Sequence, residues 1–350
     1  MSRPAPLPPG PPPRLRVEYV DDADAARLLA RDDVLAVLGF GSAAPRLDDP
    51  RYLRIPLEPH GSAPLEVWYA SAPVRSGRAP ADAGAGAEIA WACDGQLLFG
   101  AIEVDEPAGH TGQGDHSGIA LAAEHAYRAL TRFLDAGDHP HLLRVWNYLD
   151  AITLGDGDAE RYRRFCVGRA RGLGHFDAGT LPAATAIGRC DDARTIQVYW
   201  LAARTPGTPV ENPRQVSAYR YPREYGPQPP SFARAMLPPP GARMPLLLSG
   251  TAAVVGHASR HAGELLAQLD ETFANFDALL GAARTRAPAL PDRFGAGTRL
   301  KVYVRDRADL PLIGRALDER FGDRVPRILL HAAICRRELA VEIDGVHGAA

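Results

Sequence analysis

The chain is 350 residues long, enough for two domains with separate cores, and its 40 basic and 42 acidic residues leave a formal net charge of −2. This balance excludes the broad basic field used to bind nucleic acid, and no stretch approaches the roughly 18 uninterrupted apolar residues of a membrane span. Four scattered cysteines, Cys93, Cys166, Cys190 and Cys335, form no CxxC pair, and the histidines are dispersed. The expectation is a cytoplasmic protein with reduced thiols, no metal site and no cofactor.

From the N-terminus, the proline-rich run over 1–14 predicts a disordered or polyproline tail, without the apolar stretch of a secretory signal. Residues 71–88 read as a flexible linker by composition. Beyond them an order of elements appears twice. The first copy has a strand at 95–106, an amphipathic helix at 119–137, a strand at 142–152, a helix at 158–175, and strands beginning at Pro182 and Thr195. The second has a strand at 244–256, a helix at 262–283, a strand at 299–306, a helix at 310–322, and closing strands at 326–335 and 338–345. In its long helix Leu265, Leu266, Leu269, Phe273 and Phe276 share one face.

Two β-α-β-α-β-β units predict an α+β architecture with sheets packed on one side by helices. The expected division is a degenerate domain over 15–205 and a second over 206–350. The segment 206–243 opens the second; studded with Pro, Arg and Tyr, it is too long for a simple connector and reads as a substrate loop.

The C-terminal copy resembles the YjgF/RidA superfamily through the strand ending in Ser249 and Gly250, the YVRD strand and the closing pair of strands. This resemblance implies two tandem YjgF/RidA-like (chorismate mutase-like) domains. It also implies that Arg327 holds a substrate carboxylate and that Glu342, in the last strand, faces the same cleft. The first copy sets Ala183 opposite Arg327 and a residue close to Gln197 opposite Glu342, so one active site per chain, in the C-terminal half, is expected.

The whole chain resembles the chorismatases, through RVWNYLDAI (144–152), RYRRFCVGRARGLG (161–174), QVSAYRYPREYGP (215–227), LSGTAAVVGHAS (248–259) and CRRELAVEIDG (335–345), in that order. The resemblance implies that the small-molecule partner is chorismate, that pyruvate is released, and that Glu342 transfers the proton. Chorismate carries two carboxylates, and desolvating unpaired anions costs several kcal/mol each, so a tight pocket needs at least two fixed cationic donors. Besides Arg327, the candidates in the resembling stretches are Arg220, Arg305 and Arg169, with Tyr221, Tyr148 and Tyr303 as hydroxyl donors or ring walls. For each, an ion pair with a neighbouring acid or a packed core tyrosine is the competing reading.

Protonating the enolpyruvyl methylene requires an acid that is neutral near neutral pH, which burial of a carboxyl between Val341 and Ile343 favours and nearby arginines oppose. Cys335 and Gly250 match the members that form 3-hydroxybenzoate by intramolecular attack; hydrolytic members have alanine at the glycine position. A thiol relay at Cys335 competes with a plain buried hydrophobe, and Gly250 with a site of close backbone approach. Asp344 and His331 are further candidates for orienting the acid. The expectation is therefore an enzyme making 3-hydroxybenzoate and pyruvate, with 4-hydroxybenzoate as an open second product. Alternatives are hydrolysis to a dihydroxycyclohexadiene carboxylate, or a YjgF-like ligand-binding protein without catalysis. A monomer or a small homo-oligomer fits either case.

Overall fold

The computed structural model describes residues 12–21, 24–62, 64–81, 87–107, 118–174 and 177–348. Short apolar runs near the N-terminus form a sheet of their own. Strands β1 (Arg16–Val20), β2 (Val34–Phe40) and β3 (Tyr52–Ile55), the short helix α1 (Ala25–Leu29), the two-residue β4 (Glu58–Pro59) and β5 (Leu65–Tyr69) come first. They make a four-stranded sheet in the order β1-β5-β2-β3, while β4 leaves to pair elsewhere. The described part of 15–205 therefore builds two sheets and lends β4 to a third.

The second sheet contains β6 (Arg75–Pro80), β7 (Glu88–Cys93), β8 (Leu97–Asp105), β9 (His141–Asp150), β10 (Ala183–Arg189) and β11 (Thr195–Ala203), in the order β10-β9-β11-β8-β7-β6. Helices α2 (Gly118–Ala136) and α3 (Arg161–Leu173) connect its strands. Every element expected in the first copy is present. Strand β6 corrects the linker reading of 71–88: its side chains are largely exposed, so it is held by backbone pairing to β7 and carries no apolar alternation. Residues 82–86 of that segment, like 1–11 of the expected tail, lie outside the described residues. Pro13, Arg14 and Leu15 are not a free tail: Arg243 N donates to Pro13 O at 2.9 Å, and Leu15 N to Arg243 O at 3.0 Å.

The third sheet begins with β12 (Thr208–Val210), β13 (Ala235–Leu237) and β14 (Leu246–Ala252), followed by a small hairpin, β15 (Val254–Val255) and β16 (Ala258–Ser259). Helix α4 (Leu265–Arg284), β17 (Arg299–Val304), α5 (Leu310–Phe321), β18 (Arg327–His331) and β19 (Val341–His347) complete the chain. The sheet order is β12-β13-β14-β19-β17-β18-β4.

Strand alternation decides what each face buries. Val341 and Ile343 of β19 pack with Leu269, Phe273 and Phe276 of α4, while Val346 joins a core shared by all three sheets. Trp68, Trp146, Tyr148, Tyr199 and Tyr303 meet in that shared core, and Trp146 stacks on Tyr199 at 4.6 Å between centroids. Glu342 and Asp344, alternating with the apolar residues of β19, fall on the face turned away from α4, where they need polar partners or protons.

Candidate active site

The edge strand β10 of the second sheet lies against β14 of the third, and two backbone staples fix the distance. At one end Ala233 N donates to Pro182 O at 2.9 Å; at the other, Gly188 and Ala333 exchange hydrogen bonds of 2.7 and 3.0 Å. Residue 188 must be glycine, because a Cβ there would overlap Ile152 and Ala333. Between the staples the two strands are joined through the side chains of Ser249 and Thr185, and residues of both line a cavity of about 300 Å³. Thr185 on β10, Gly250 on β14 and Glu342 on β19 line its floor; α3 supplies Arg169 and Cys166; the 206–243 segment supplies Tyr221 and Arg234. Both halves of the chain build it, around the Glu342 that the C-terminal half supplies.

Glu342 is only 5 % exposed. Burial, reinforced by the negative charge of Asp344, pushes its carboxyl up from 4.5 to about 8, against the opposing pull of Arg144, Arg234 and Arg336. A carboxyl so shifted keeps its proton at neutral pH and is able to donate it. A Cβ on residue 250 would overlap its Oε1 atom, so Gly250 gives the acid its room. Cys335 lines the same cavity; burial and then Glu342 raise its thiol above the ordinary range, which keeps it protonated.

Two buried guanidinium groups face this cavity with donors to spare. Arg169 stacks on Tyr127 at 5.1 Å and has Nε and Nη2 without a hydrogen-bond partner among the described residues. Arg234 donates to Val216 O at 3.0 Å and to the Tyr221 hydroxyl at 2.8 Å, leaving Nε without a partner among the described residues. A buried cation with unused donors suits an anionic ligand, which would complete the compensation of its desolvation. At the mouth Arg336 stacks over Tyr225 at 4.2 Å and Tyr221 at 5.3 Å, and donates to His257 O at 2.8 Å. Sequence reasoning missed Arg234 and Arg336. The available signal for Arg234 was a lone arginine within the otherwise apolar run FARAM.

Of the residues expected at the site, Glu342, Cys335, Gly250, Arg169 and Tyr221 line the cavity, and Arg327, Arg220, Arg305, Tyr148 and Tyr303 do not. Arg327 is on β18, separated from β19 by β17; it pairs with Asp318 and donates to Gly322 O and Val325 O at 3.0 and 2.9 Å. Arg220 is exposed and lies over Tyr219. Arg305 binds the carbonyls of Ile334, Arg336 and Leu339 at 2.6–2.8 Å, so it braces the turn that carries Cys335 and Arg336 instead of meeting a ligand. Tyr148 and Tyr303 join hydroxyls at 3.2 Å in the shared core behind the cavity. Arg327→Ala should consequently leave kcat/KM for the substrate within about twofold and lower Tm slightly, as expected for a partly exposed ion pair. Steady-state kinetics beside a thermal melt checks both, and a large rise in KM would reinstate the carboxylate contact.

Residues 66–202 match the family model described as chorismatase FkbO/Hyg5-like, N-terminal. A chorismatase of Streptomyces rapamycinicus is 36 % identical over 289 residues, covering 80 % of this chain and 81 % of the relative. A 3-hydroxybenzoate synthase of Streptomyces hygroscopicus is 32 % identical over 291 residues, covering 80 % of each. A chorismatase crystal structure superposes with a TM-score of 0.78 at 32 % identity, covering 96 % of this chain and 98 % of the other.

Proposed function

This chain belongs to the chorismatase family, and we propose that it converts chorismate to 3-hydroxybenzoate and pyruvate with Glu342 as the proton donor. The observation that carries the reading is the convergence, in one cavity, of a protonated buried carboxyl and N–H groups of Arg169 and Arg234 that have no partner among the described residues. Two fixed cations suit a small dicarboxylate, and the neutral acid suits an enol ether.

In the proposed reaction, the Glu342 proton is transferred to the terminal methylene carbon of the enolpyruvyl group. The ether oxygen then leaves the ring as the keto oxygen of pyruvate. The neighbouring ring hydroxyl oxygen attacks the vacated ring carbon, and its proton returns to the Glu342 carboxylate. The resulting arene oxide opens and exchanges one ring hydrogen for a hydroxyl proton to give 3-hydroxybenzoate, so no oxidant or cofactor enters the balance. The protonated Cys335 thiol is the nearby group suited to relay the aromatisation proton.

Incubation with chorismate tests the reading: lactate dehydrogenase-coupled detection should report pyruvate, and mass and ultraviolet absorbance should identify an aromatic acid of the same yield. Absence of pyruvate would leave a ligand-binding protein; pyruvate with a non-aromatic diene acid would make water the nucleophile. Gly250→Ala probes the same branch point. Because the added methyl overlaps the Glu342 carboxyl, the acid must move, and the product ratio is expected to shift from 3-hydroxybenzoate toward the hydrolysed diene with less total pyruvate. An unchanged product ratio would remove Gly250 from the choice of nucleophile.

A further inference from the structure

Two residues beyond Glu342, on the same face of β19, Asp344 is fully buried. Its Oδ2 accepts from the Thr185 hydroxyl at 2.7 Å, Trp146 Nε1 at 3.0 Å, the Tyr303 hydroxyl at 3.0 Å and Arg144 Nη2 at 3.2 Å. Its Oδ1 has no hydrogen-bond partner among the described residues, with Lys301 Nζ 3.9 Å away. Lys301 in turn reaches Glu66 of the first sheet at 3.1 Å. Two acids and two bases, drawn from all three sheets, are thus sealed where the sheets meet. Well-packed apolar side chains would hold that junction as well or better, so stability alone does not account for the cluster.

Its geometry points at the acid instead. The Thr185 hydroxyl that donates to Asp344 also accepts from Gly250 N at 3.0 Å, and so ties the carboxylate to the wall beside Glu342. We propose that Asp344 is a positioning residue: its bond to Thr185 holds the Gly250 wall in place, and its charge, two residues along the same face of β19, acts on Glu342. The inference rests on reading Glu342 as the acid. Other charged or titratable groups that act on Glu342 are Arg144 from β9, Arg234 ahead of β13, Arg305 after β17, Tyr162 from α3, and Cys335 and Arg336 from the turn before β19. The arginines pull the proton off; Asp344 is the acid on β19 that opposes them.

The test is the pH profile of kcat/KM for pyruvate release from chorismate. Wild type should lose activity as the pH rises through about 8. Asp344→Asn, which keeps the shape and removes the charge, should move that limb down by about one pH unit. A role in folding alone lowers activity at every pH and leaves the limb in place, which would overturn the proposal. Because an amide facing Arg144 can disturb folding, Glu66→Gln provides the second variant. It keeps the acceptor for Trp68 Nε1, at 2.7 Å, and leaves Lys301 free to offset Asp344, so the limb should move the same way by a smaller amount. A wild-type limb in folded Glu66→Gln, when Asp344→Asn does not fold, counts against the proposal. If Glu342→Gln remains active, the acid assignment itself fails; if it is inactive while Asp344→Asn keeps the wild-type limb, only the present inference falls.

Discussion

Glu342→Gln is expected to lower kcat for pyruvate release by about 10²–10⁴-fold and, at alkaline pH, to make the protein more resistant to heat. Both effects have one cause. The folded protein raises this carboxyl from 4.5 to about 8, chiefly by burying it. Below the lower value both folded and unfolded chains hold the proton, and the group has no effect on stability. As the pH rises from there the unfolded chain releases its proton and the folded one does not, so stability falls until the folded value is passed. Glutamine keeps the shape and never ionises. The Tm difference between variant and wild type should therefore be near zero at pH 4.5 and reach several degrees by pH 9, provided the variant amide finds partners as good as those of the neutral acid. Melts across that range beside single-turnover assays make the comparison. A variant of near wild-type activity, or a Tm difference flat with pH, would contradict the account.

Arg169→Met should reduce kcat/KM for chorismate by about 10²–10³-fold, because losing one partner of a desolvated charge pair leaves a substrate carboxylate unmatched. In the ligand-free protein the sign for stability reverses. Arg169 is 4 % exposed and has two donor nitrogens without a partner among the described residues, so an apolar chain of similar length against Tyr127 is expected to raise Tm. Arg169→Lys should recover only part of the lost activity, since a point charge cannot reproduce the planar fork. Arg234→Met should match the kinetic loss without the gain in Tm, because Arg234 also anchors Val216 and Tyr221. Titrating each variant with substrate by calorimetry and melting separates the cases. Wild-type affinity in Arg169→Met would show that this cation serves some other purpose.

These expectations share a feature visible in the strands themselves. Arg144 in LLRVWNY, Arg234 in FARAM, and Glu342 and Asp344 in AVEIDG are charged residues set in apolar runs. Each is buried in the structure, and each belongs either to the cavity or to the network behind it. Arg327 shows why the same reasoning failed elsewhere: it also opens an apolar strand, but β17 separates β18 from the strand of Glu342, and its guanidinium is consumed by Asp318 and two carbonyls. Arg305 failed for a related reason, since a turn rich in free carbonyls claimed all its reach.

Local pattern alone determined the repeated order of strands and helices, the face of β19 that carries Glu342, and the acid's placement between two core residues, because periodicity and alternation are properties of neighbouring residues. It also left the 16–69 sheet and strand β6 unread, where short or polar strands gain their identity from distant partners. Tertiary structure alone decided that β10 meets β14, that the cavity is shared by both halves, and that Arg169 and Arg234 face it while Arg327 does not. Which sheet edge abuts which is a matter of pairing between residues far apart in the chain, and no window of sequence contains both members of such a pair.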